Sequence, residues 1–463
     1  MEMLKMRKNM VIPALLLALL AFGLANTNCE QLAPGPGDGS MDAGWVVVYD
    51  GGIADDDSGQ ALAFDEEGNV YVTGYSWGKN SSSDYATIKY SATGKELWVA
   101  RYNGPVDGED WALDIALGNS GNIYVTGWSL GEGGKPDYAT VKYDTSGEQL
   151  WASRYNGVVN GYDEPSALAV DYLENIYVTG WSQGNRTDED FATIKYDKDG
   201  KHLWVARYNG AANGEDKANA VALDGWANVY VAGWSQESGI YTDCTTIKYD
   251  NAGNRIWVSS YDGPPGGEDK AQDIAVDTWG NVYVTGWSEG NGTGEDYATI
   301  KYDANGKQLW VARYDGPASG DDRASAMFVD SLANVYITGS SQGNGTGEDY
   351  ATVKYDTNGN EVWVARYDGP VHDEDIARAI DIDVWGNSYV TGWSRGNRVR
   401  YDYATVKYDV EGKCIWASRY DGPARGHDKS YAIAVDAEDN IYVTGRSSGE
   451  ETYYDYTTIK YIQ

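Results

Sequence analysis

Cysteine and histidine are scarce in this sequence, which has three of each in 463 residues. Three cysteines are too few for a disulfide framework, and none of them has the CxxC spacing of a metal site. We expect Cys244 and Cys414 to be plain buried side chains. Serine-nucleophile motifs, phosphate loops and metal-spaced Cys/His sets are also missing. These absences disfavour the common classes of catalytic and metal site.

Basic residues are also in short supply, with 36 Lys and Arg against 70 Asp and Glu and a formal net charge of −34. Such a charge repels nucleic acid backbones and anionic membrane surfaces. We therefore expect neutral or cationic ligands. The partner we predict is a protein or a carbohydrate, and no nucleic acid.

Long apolar runs are absent except for "VIPALLLALLAFGLA" at 11–25, which follows three basic residues, Lys5, Arg7 and Lys8. This pattern predicts a signal peptide over 1–25 with cleavage after Ala25. Cys29 and the loose stretch after it resemble a bacterial lipoprotein anchor, so residues 26–43 are predicted to be a flexible linker or a lipoprotein tether. We expect an exported protein, either secreted or held at the cell surface by a lipid on Cys29.

The rest of the chain is a repeat of 53 residues. Motifs of the "YVTG" type recur at Tyr71, Tyr124, Tyr177, Tyr230, Tyr283, Tyr336, Tyr389 and Tyr442. Each copy contains four short β-rich runs separated by Gly, Asn and Asp, which is typical of propeller blades. We therefore predict one all-β domain over 44–463, an eight-bladed β-propeller of four-stranded antiparallel blades. Because the chain enters in a fourth strand and stops in a third, residues 44–50 should complete the last blade.

The turns of the repeat have their own signals. The c–d turn "DANG" at 303–306 places Gly306 where a positive φ is needed. The a–b turn ends in an asparagine in every copy, such as Asn69 and Asn122, and we expect this asparagine to adopt the left-handed conformation.

The stretches "DYATIKYDANGKQLWVARYDGP" and "GEDKAQDIAVDTWGNVYVTGWS" resemble the bacterial seven-bladed β-propeller repeat family, over about 44–461. The resemblance implies an exported or cell-surface propeller, and it carries over no catalytic residues. Since this chain has eight repeats, eight blades are favoured, and seven blades plus an exchanged blade is the alternative.

An aspartate precedes the first strand of every copy, and a second one opens each third strand. Their regular recurrence favours caps that accept loop N–H groups. We expect no cofactor, and the alternative is calcium held by these carboxylates. The second strand ends in Trp in five copies, which favours packing between blades, whereas Ser340 and Arg446 break this pattern and leave room for a small ligand.

Two enzymatic alternatives remain open. The "YDxxGxxLW" pattern resembles the tryptophan-docking motif of quinoprotein propellers, which implies an oxidoreductase with a bound quinone and calcium in the funnel. His372 and His427 lie in successive d–a loops and could serve a lyase. The favoured interpretation is a non-enzymatic, exported propeller that binds a protein or carbohydrate or acts as a scaffold.

The predicted binding surface lies at one position of the a–b turn, two residues before the asparagine. Three copies carry polar residues there, Glu67, Ser120 and Glu438. The five copies between them carry Leu173, Trp226, Trp279, Leu332 and Trp385. Because all a–b turns emerge on one face of a propeller, these five side chains should form an apolar arc. The alternative is that each folds down over its own c–d turn.

Overall fold

The computed structural model describes residues 27–29, 43–52, 55–78, 82–237, 239–396, 400–449 and 453–463. These residues form eight sheets of four antiparallel strands, and one of the sheets carries a fifth, short parallel strand at its edge. Blades follow one another in sequence around a ring, which confirms the eight-bladed propeller over seven blades plus an exchanged one. We number the blades 1 to 8 and letter the strands a to d from the centre outward.

The strand bounds repeat closely from blade to blade. In the order a to d, blade 1 comprises Asp57–Phe64, Val70–Trp77, Ser83–Tyr90 and Glu96–Tyr102, and blade 2 comprises Asp110–Leu117, Ile123–Leu130, Pro136–Tyr143 and Gln149–Tyr155. Blade 3 comprises Asp163–Val170, Ile176–Gln183, Glu189–Tyr196 and His202–Tyr208, and blade 4 comprises Asp216–Leu223, Val229–Ser235, Asp243–Tyr249 and Arg255–Tyr261. Blade 5 comprises Asp269–Val276, Val282–Glu289, Glu295–Tyr302 and Gln308–Tyr314, and blade 6 comprises Asp322–Val329, Val335–Gly343, Gly347–Tyr355 and Glu361–Tyr367. Blade 7 comprises Asp375–Ile382, Ser388–Arg395, Tyr401–Tyr408 and Cys414–Tyr420, and blade 8 comprises Lys429–Val435, Ile441–Ser448, Tyr454–Tyr461 and Ala43–Tyr49.

The core lies between neighbouring blades rather than within one. Strands b and c are almost wholly buried, and each apolar cluster joins residues of adjacent blades, such as Tyr283 with Ile337. The strand d tryptophan adds a second link. In blade 5 the indole Nε1 of Trp310 donates to the Thr357 carbonyl of the next c–d turn at 3.2 Å. Gly359 in that turn has φ 82°, and a Cβ there would lie 2.7 Å from the Trp310 ring, so the turn requires glycine.

The two ends of the chain close the ring, as the sequence predicts. Strand d of blade 8 is Ala43–Tyr49, paired antiparallel with strand c, Tyr454–Tyr461. Trp45 Nε1 donates to the Ala92 carbonyl of blade 1 at 3.1 Å. The hydroxyl of Tyr456 donates to the Ala86 carbonyl at 2.9 Å. Blade 8 therefore contacts blade 1 through the same contacts that join the other blades.

Cysteine usage differs from the sequence prediction. Cys244 is a free, buried thiol, as expected, but Cys414 is disulfide-bonded and so is not a plain buried side chain. A single disulfide bond leaves no recognisable spacing pattern in a sequence with three cysteines, so the bond at Cys414 could not be predicted from cysteine spacing. The structure also contains Thr27–Cys29, a short parallel strand beside strand d of blade 6, for which the sequence carries no strand signal.

The signal peptide prediction over 1–25 lies outside the described residues, as do most of the tether prediction over 26–43 and the side chain of Cys29. Among the residues that the structure describes, no helix is long and apolar enough to cross a bilayer.

Candidate functional site

In the a–b turns that carry the apolar arc, the carboxylate of an aspartate accepts hydrogen bonds from the backbone and the neighbouring side chains of the turn. In blade 5, Asp277 Oδ1 accepts the backbone N–H groups of Trp279 and Asn281, both at 2.9 Å. Its Oδ2 accepts the Asn281 amide at 2.7 Å and the Tyr283 hydroxyl at 3.0 Å. The backbone of the turn is thus fixed by Asp277, Asn281 and Tyr283 without help from the Trp279 side chain.

The asparagine that ends this turn in every repeat does not adopt the left-handed conformation, which corrects the sequence prediction. The residue before it does, with φ between 59° and 88° at Gly68, Gly121, Glu174, Ala227, Gly280, Ala333, Gly386 and Asp439. The asparagine is instead selected for its side-chain amide, which bonds the aspartate.

Blade 2 shows that the carboxylate is needed, because Gly118 stands where the other turns have aspartate. Glu174 of blade 3 takes its place and accepts the Tyr124 hydroxyl at 2.9 Å. Burial alone would raise the pKa of Glu174, but hydrogen bonds from Ser120, Tyr124 and Asn122 lower it to about 2.

The five predicted residues are all exposed at the outer side of these turns. Their side chains are exposed by 66% to 74%, at Leu173, Trp226, Trp279, Leu332 and Trp385. They do not fold down over their own c–d turns. The Trp385 side chain donates from Nε1 to Asp439 Oδ2 of the neighbouring turn at 3.3 Å. The structure therefore places an apolar arc over blades 3 to 7, and its role in binding remains a prediction.

Two more apolar side chains extend the arc. Tyr172 and Val384 directly precede Leu173 and Trp385, and each is exposed by 76%. They lie one residue before the predicted position of the repeat, so the pattern at that position does not include them. The signal was present, since the equivalent residues Gly225, Thr278 and Ser331 are small or polar.

The opposite face carries the aspartates that precede strand a, and they act as caps. Asp216 Oδ2 accepts the Gly210 N–H at 2.7 Å, and its Oδ1 accepts the Ser235 hydroxyl and the Gln236 N–H at 2.5 and 3.0 Å. Burial raises the pKa of Asp216 to about 6 despite these bonds. The cap therefore joins the d–a loop to the end of strand b within one blade.

Five of these caps form carboxylate triads with an aspartate of strand c and one of the d–a loop. The oxygens of each triad lie within 4.8 Å of one another: Asp50, Asp57 and Asp455; Asp243, Asp262 and Asp269; Asp296, Asp315 and Asp322; Asp349, Asp368 and Asp375; Asp402, Asp421 and Asp428. In three triads a strand d arginine pairs with the strand c aspartate, as Arg366 does with Asp349 at 2.8 Å. Ser260 and Val48 occupy the arginine position at the other two. Calcium at these triads remains the alternative prediction.

The tryptophans that end strand b lie between blades, in agreement with a packing role. Lys217 Nζ of blade 4 lies 4.7 Å from the Trp181 ring centroid of blade 3, and Lys270 Nζ of blade 5 lies 5.2 Å from the Trp234 ring of blade 4. A cation thus covers the ring of the preceding blade. Arg446 breaks this arrangement in blade 8.

The two loop histidines have separate partners. His372 Nδ1 lies 2.5 Å from Asp368 Oδ2, and this contact raises the pKa of His372. His427 Nδ1 accepts the Tyr401 N–H at 3.4 Å. The pKa of His427 is lowered, mainly because its side chain is partly buried and secondly because the cations Lys429 and Arg400 lie nearby. Neither geometry assigns a reaction, and the lyase stays an untested alternative.

Comparison with known proteins agrees with this architecture. A family model described as Beta-propeller repeat matches four segments, 49–80, 153–186, 263–292 and 418–450. Each segment begins at or before a d–a loop and ends at or after strand b.

One curated relative and several solved structures are similar to the chain. The relative is an uncharacterised WD repeat-containing protein of Acanthamoeba polyphaga mimivirus, 24% identical over 52% of this chain. The match spans only 24% of the length of that protein. A eukaryotic initiation factor covers 78% of this chain and 88% of its own, with 9% identity and a TM-score of 0.40. The calcium-binding protein regucalcin of Agrobacterium tumefaciens covers 62% and 83%, with 14% identity and a TM-score of 0.33.

Proposed function

We propose that this chain, whose repeats form a β-propeller and match a β-propeller repeat model in four segments, is an exported, non-enzymatic module that binds a partner protein through the apolar arc. The observation that carries the proposal is the exposure of five large apolar side chains in five neighbouring turns. Exposed apolar patches of this kind mark interaction sites on soluble proteins.

The composition of the arc favours a protein over a carbohydrate. The arc combines three tryptophans with two leucines and continues into Tyr172 and Val384, so aliphatic side chains occupy places where a sugar ring would need an aromatic face. Tryptophan and tyrosine are also the residues that most often anchor protein interfaces. The backbone below them is fixed by the turn aspartates, so the side chains are presented on a rigid base, which lowers the entropy cost of binding.

Replacing Trp226, Trp279 and Trp385 with serine should abolish self-association or partner capture and leave folding intact. Serine is a matched choice because the repeat itself places Ser120 at this position in blade 2. Surface substitutions usually change stability by about 0.5 kcal/mol or less, whereas loss of one interface anchor costs about 2 kcal/mol or more. Thermal melting and analytical ultracentrifugation or pull-down would measure the two effects. Unfolding of the triple variant would show that the tryptophans are packing residues and that the arc is no site.

Export is supported by the basic and apolar N-terminal segment and by the disulfide at Cys414, since disulfides persist in oxidising compartments. The fate of Cys29 separates secretion from anchoring. The residues "NTN" before Cys29 depart from the pattern of a lipoprotein signal, so we propose secretion after cleavage at Ala25.

The secreted form should carry no palmitate label, and the Cys414 peptide should change mass on reduction. Mass spectrometry and metabolic labelling in the source cell would measure both, with Cys29→Ser as the comparison. A palmitate label that is lost together with membrane association in Cys29→Ser would contradict secretion and establish the lipoprotein.

A further inference from the structure

One of the five carboxylate triads lies across the interface between blades 6 and 7. It consists of Asp349 near the start of strand c of blade 6, Asp368 in the d–a loop, and Asp375 at the start of strand a of blade 7. Asp349 and Asp375 are buried, with exposures of 4% and 1%. The Asp368 side chain is exposed by 26%. Two buried carboxylates and one that is partly open to solvent therefore lie together at this interface.

Two carboxylate oxygens of this triad are buried and have no hydrogen-bond partner among the described residues. They are Oδ1 of Asp349 and Oδ1 of Asp368. A buried polar atom without a partner costs free energy, and such atoms are rare in folded proteins. None of the other four triads has more than one such oxygen in the part of the chain that the structure describes. This triad is therefore the one in which an added cation would satisfy the most buried oxygens.

The same two carboxylates are held in place through their second oxygens. Oδ2 of Asp349 accepts from Arg366 Nη2 at 2.8 Å and from the Thr346 hydroxyl at 3.0 Å. Oδ2 of Asp368 lies 2.5 Å from Nδ1 of His372. Contacts of this kind orient the carboxylates that bind a metal ion. They leave the two Oδ1 atoms for a ligand.

Asp375 is fixed by the backbone around it. Its Oδ2 accepts the Gly369 N–H at 2.6 Å, and its Oδ1 accepts the Arg395 N–H at 3.1 Å. One oxygen from each member of the triad lies within 4.8 Å of the others. Calcium binds oxygens at about 2.3 to 2.6 Å, so two oxygens on one ion lie up to about 5 Å apart. The spacing of the triad therefore allows one calcium ion to contact all three carboxylates.

The positive charges around the triad do not balance its three carboxylates. Arg366 pairs with one of them. The charge of Arg419 also acts on Asp375, but burial still raises the pKa of Asp375 to about 7, and the ion pair of Arg419 is with Asp402 at 2.6 Å. His372 contacts Asp368 from the solvent side, where its side chain is exposed by 67%. A divalent cation would balance the two carboxylates that Arg366 leaves.

We propose that Asp349, Asp368 and Asp375 bind one calcium ion, with water in the remaining coordination positions. The ligands are all oxygens and carry negative charge, which suits calcium. Magnesium requires nearly octahedral geometry and gives up its water reluctantly, so three oxygens fixed by the fold should favour calcium. The ion would join blade 6 to blade 7 on the face opposite the apolar arc, and the site is independent of the proposed protein interface.

The repeat supplies a matched substitution for Asp368. The same position holds Asn103, Asn156 and Asn209 in the three d–a loops that connect blades 1 to 4. Asparagine has nearly the shape of aspartate without its charge, and the fold accepts it at this position. Asp368→Asn should therefore remove one anionic ligand and leave the propeller folded.

Calorimetric titration of the purified protein with calcium chloride tests the proposal, at pH 8 and in sodium chloride that screens weak binding to the acidic surface. We expect one calcium ion per chain to bind at least 10-fold more tightly than magnesium does. Asp368→Asn should weaken calcium binding about 10-fold or more, because the number of charged ligands sets the affinity. Asp368→Ser should do the same and guards against misfolding of the asparagine variant.

Asp421→Asn is the control, because it changes the same loop position of the triad between blades 7 and 8, where no buried carboxylate oxygen of the described residues is unpaired. It should bind calcium as the wild type does. Calcium should also raise the melting temperature of the wild type and of Asp421→Asn more than that of Asp368→Asn. No calcium binding by the wild type, equal affinities for calcium and magnesium, or equal losses in Asp368→Asn and Asp421→Asn would each overturn the proposal.

Discussion

Deleting residues 43–49 should abolish cooperative melting of the whole propeller. These seven residues form the outer strand of blade 8 and lie within the interface between blades 8 and 1. Their loss removes Trp45 from the core and exposes the edge of strand c, Tyr454–Tyr461. Loss of a fully buried tryptophan costs about 3 to 5 kcal/mol; Trp45 is partly buried, and the deletion also removes the whole pairing of strand d, so the total is comparable with the stability of many domains. Thermal unfolding followed by circular dichroism would measure the effect.

Trp45→Ala and Trp310→Ala provide the comparison for that deletion. Both indoles donate to the c–d turn of the next blade, at 3.1 and 3.2 Å, so the two single substitutions should cost similar amounts. The deletion should cost far more than either. A deletion variant that melts like the wild-type protein would refute closure of the ring by the N-terminal strand.

Replacing Arg366 with serine should destabilise the protein by about 3 to 5 kcal/mol, because it leaves Asp349 buried without its cation. The side chains of Arg366 and Asp349 are exposed by only 8% and 5%. Arg366 also donates to the Tyr314 hydroxyl of blade 5 at 2.9 Å, so it joins two blades. Urea unfolding monitored by tryptophan fluorescence would give the difference in free energy.

Arg101→Ser is the matched control, because Arg101 makes the same ion pair with Asp84 but its side chain is exposed by 28%. Solvent weakens such a pair, so this substitution should cost clearly less. The repeat already tolerates serine at this position in Ser260. If Arg101→Ser costs as much as Arg366→Ser, burial of the ion pair is not what determines its contribution.

Most of the fold could be predicted because the same turn-forming residues recur at the same positions in each repeat. Gly306 has φ 81°, as its place in "DANG" requires, and closure by the N-terminal strand followed from where the repeat starts and stops. The left-handed residue of the a–b turn was assigned one position late. An asparagine in a turn can adopt a positive φ or can donate a side-chain hydrogen bond to an aspartate. The sequence alone does not show which of these two roles the asparagine has.

The candidate sites were predictable only where the repeat could be compared with itself. The apolar arc appeared as one column of five residues, and the structure shows all of them exposed.

The most direct test of the proposed function is site-specific photocrosslinking in the source cell. A photoreactive amino acid at position 279, in the arc, should form an adduct with a partner protein or a second copy of the chain. The same amino acid at position 67, where Glu67 occupies the equivalent exposed turn of blade 1, should form none. Adducts of equal yield at both positions, or none at position 279, would contradict the assignment of the apolar arc as the binding surface.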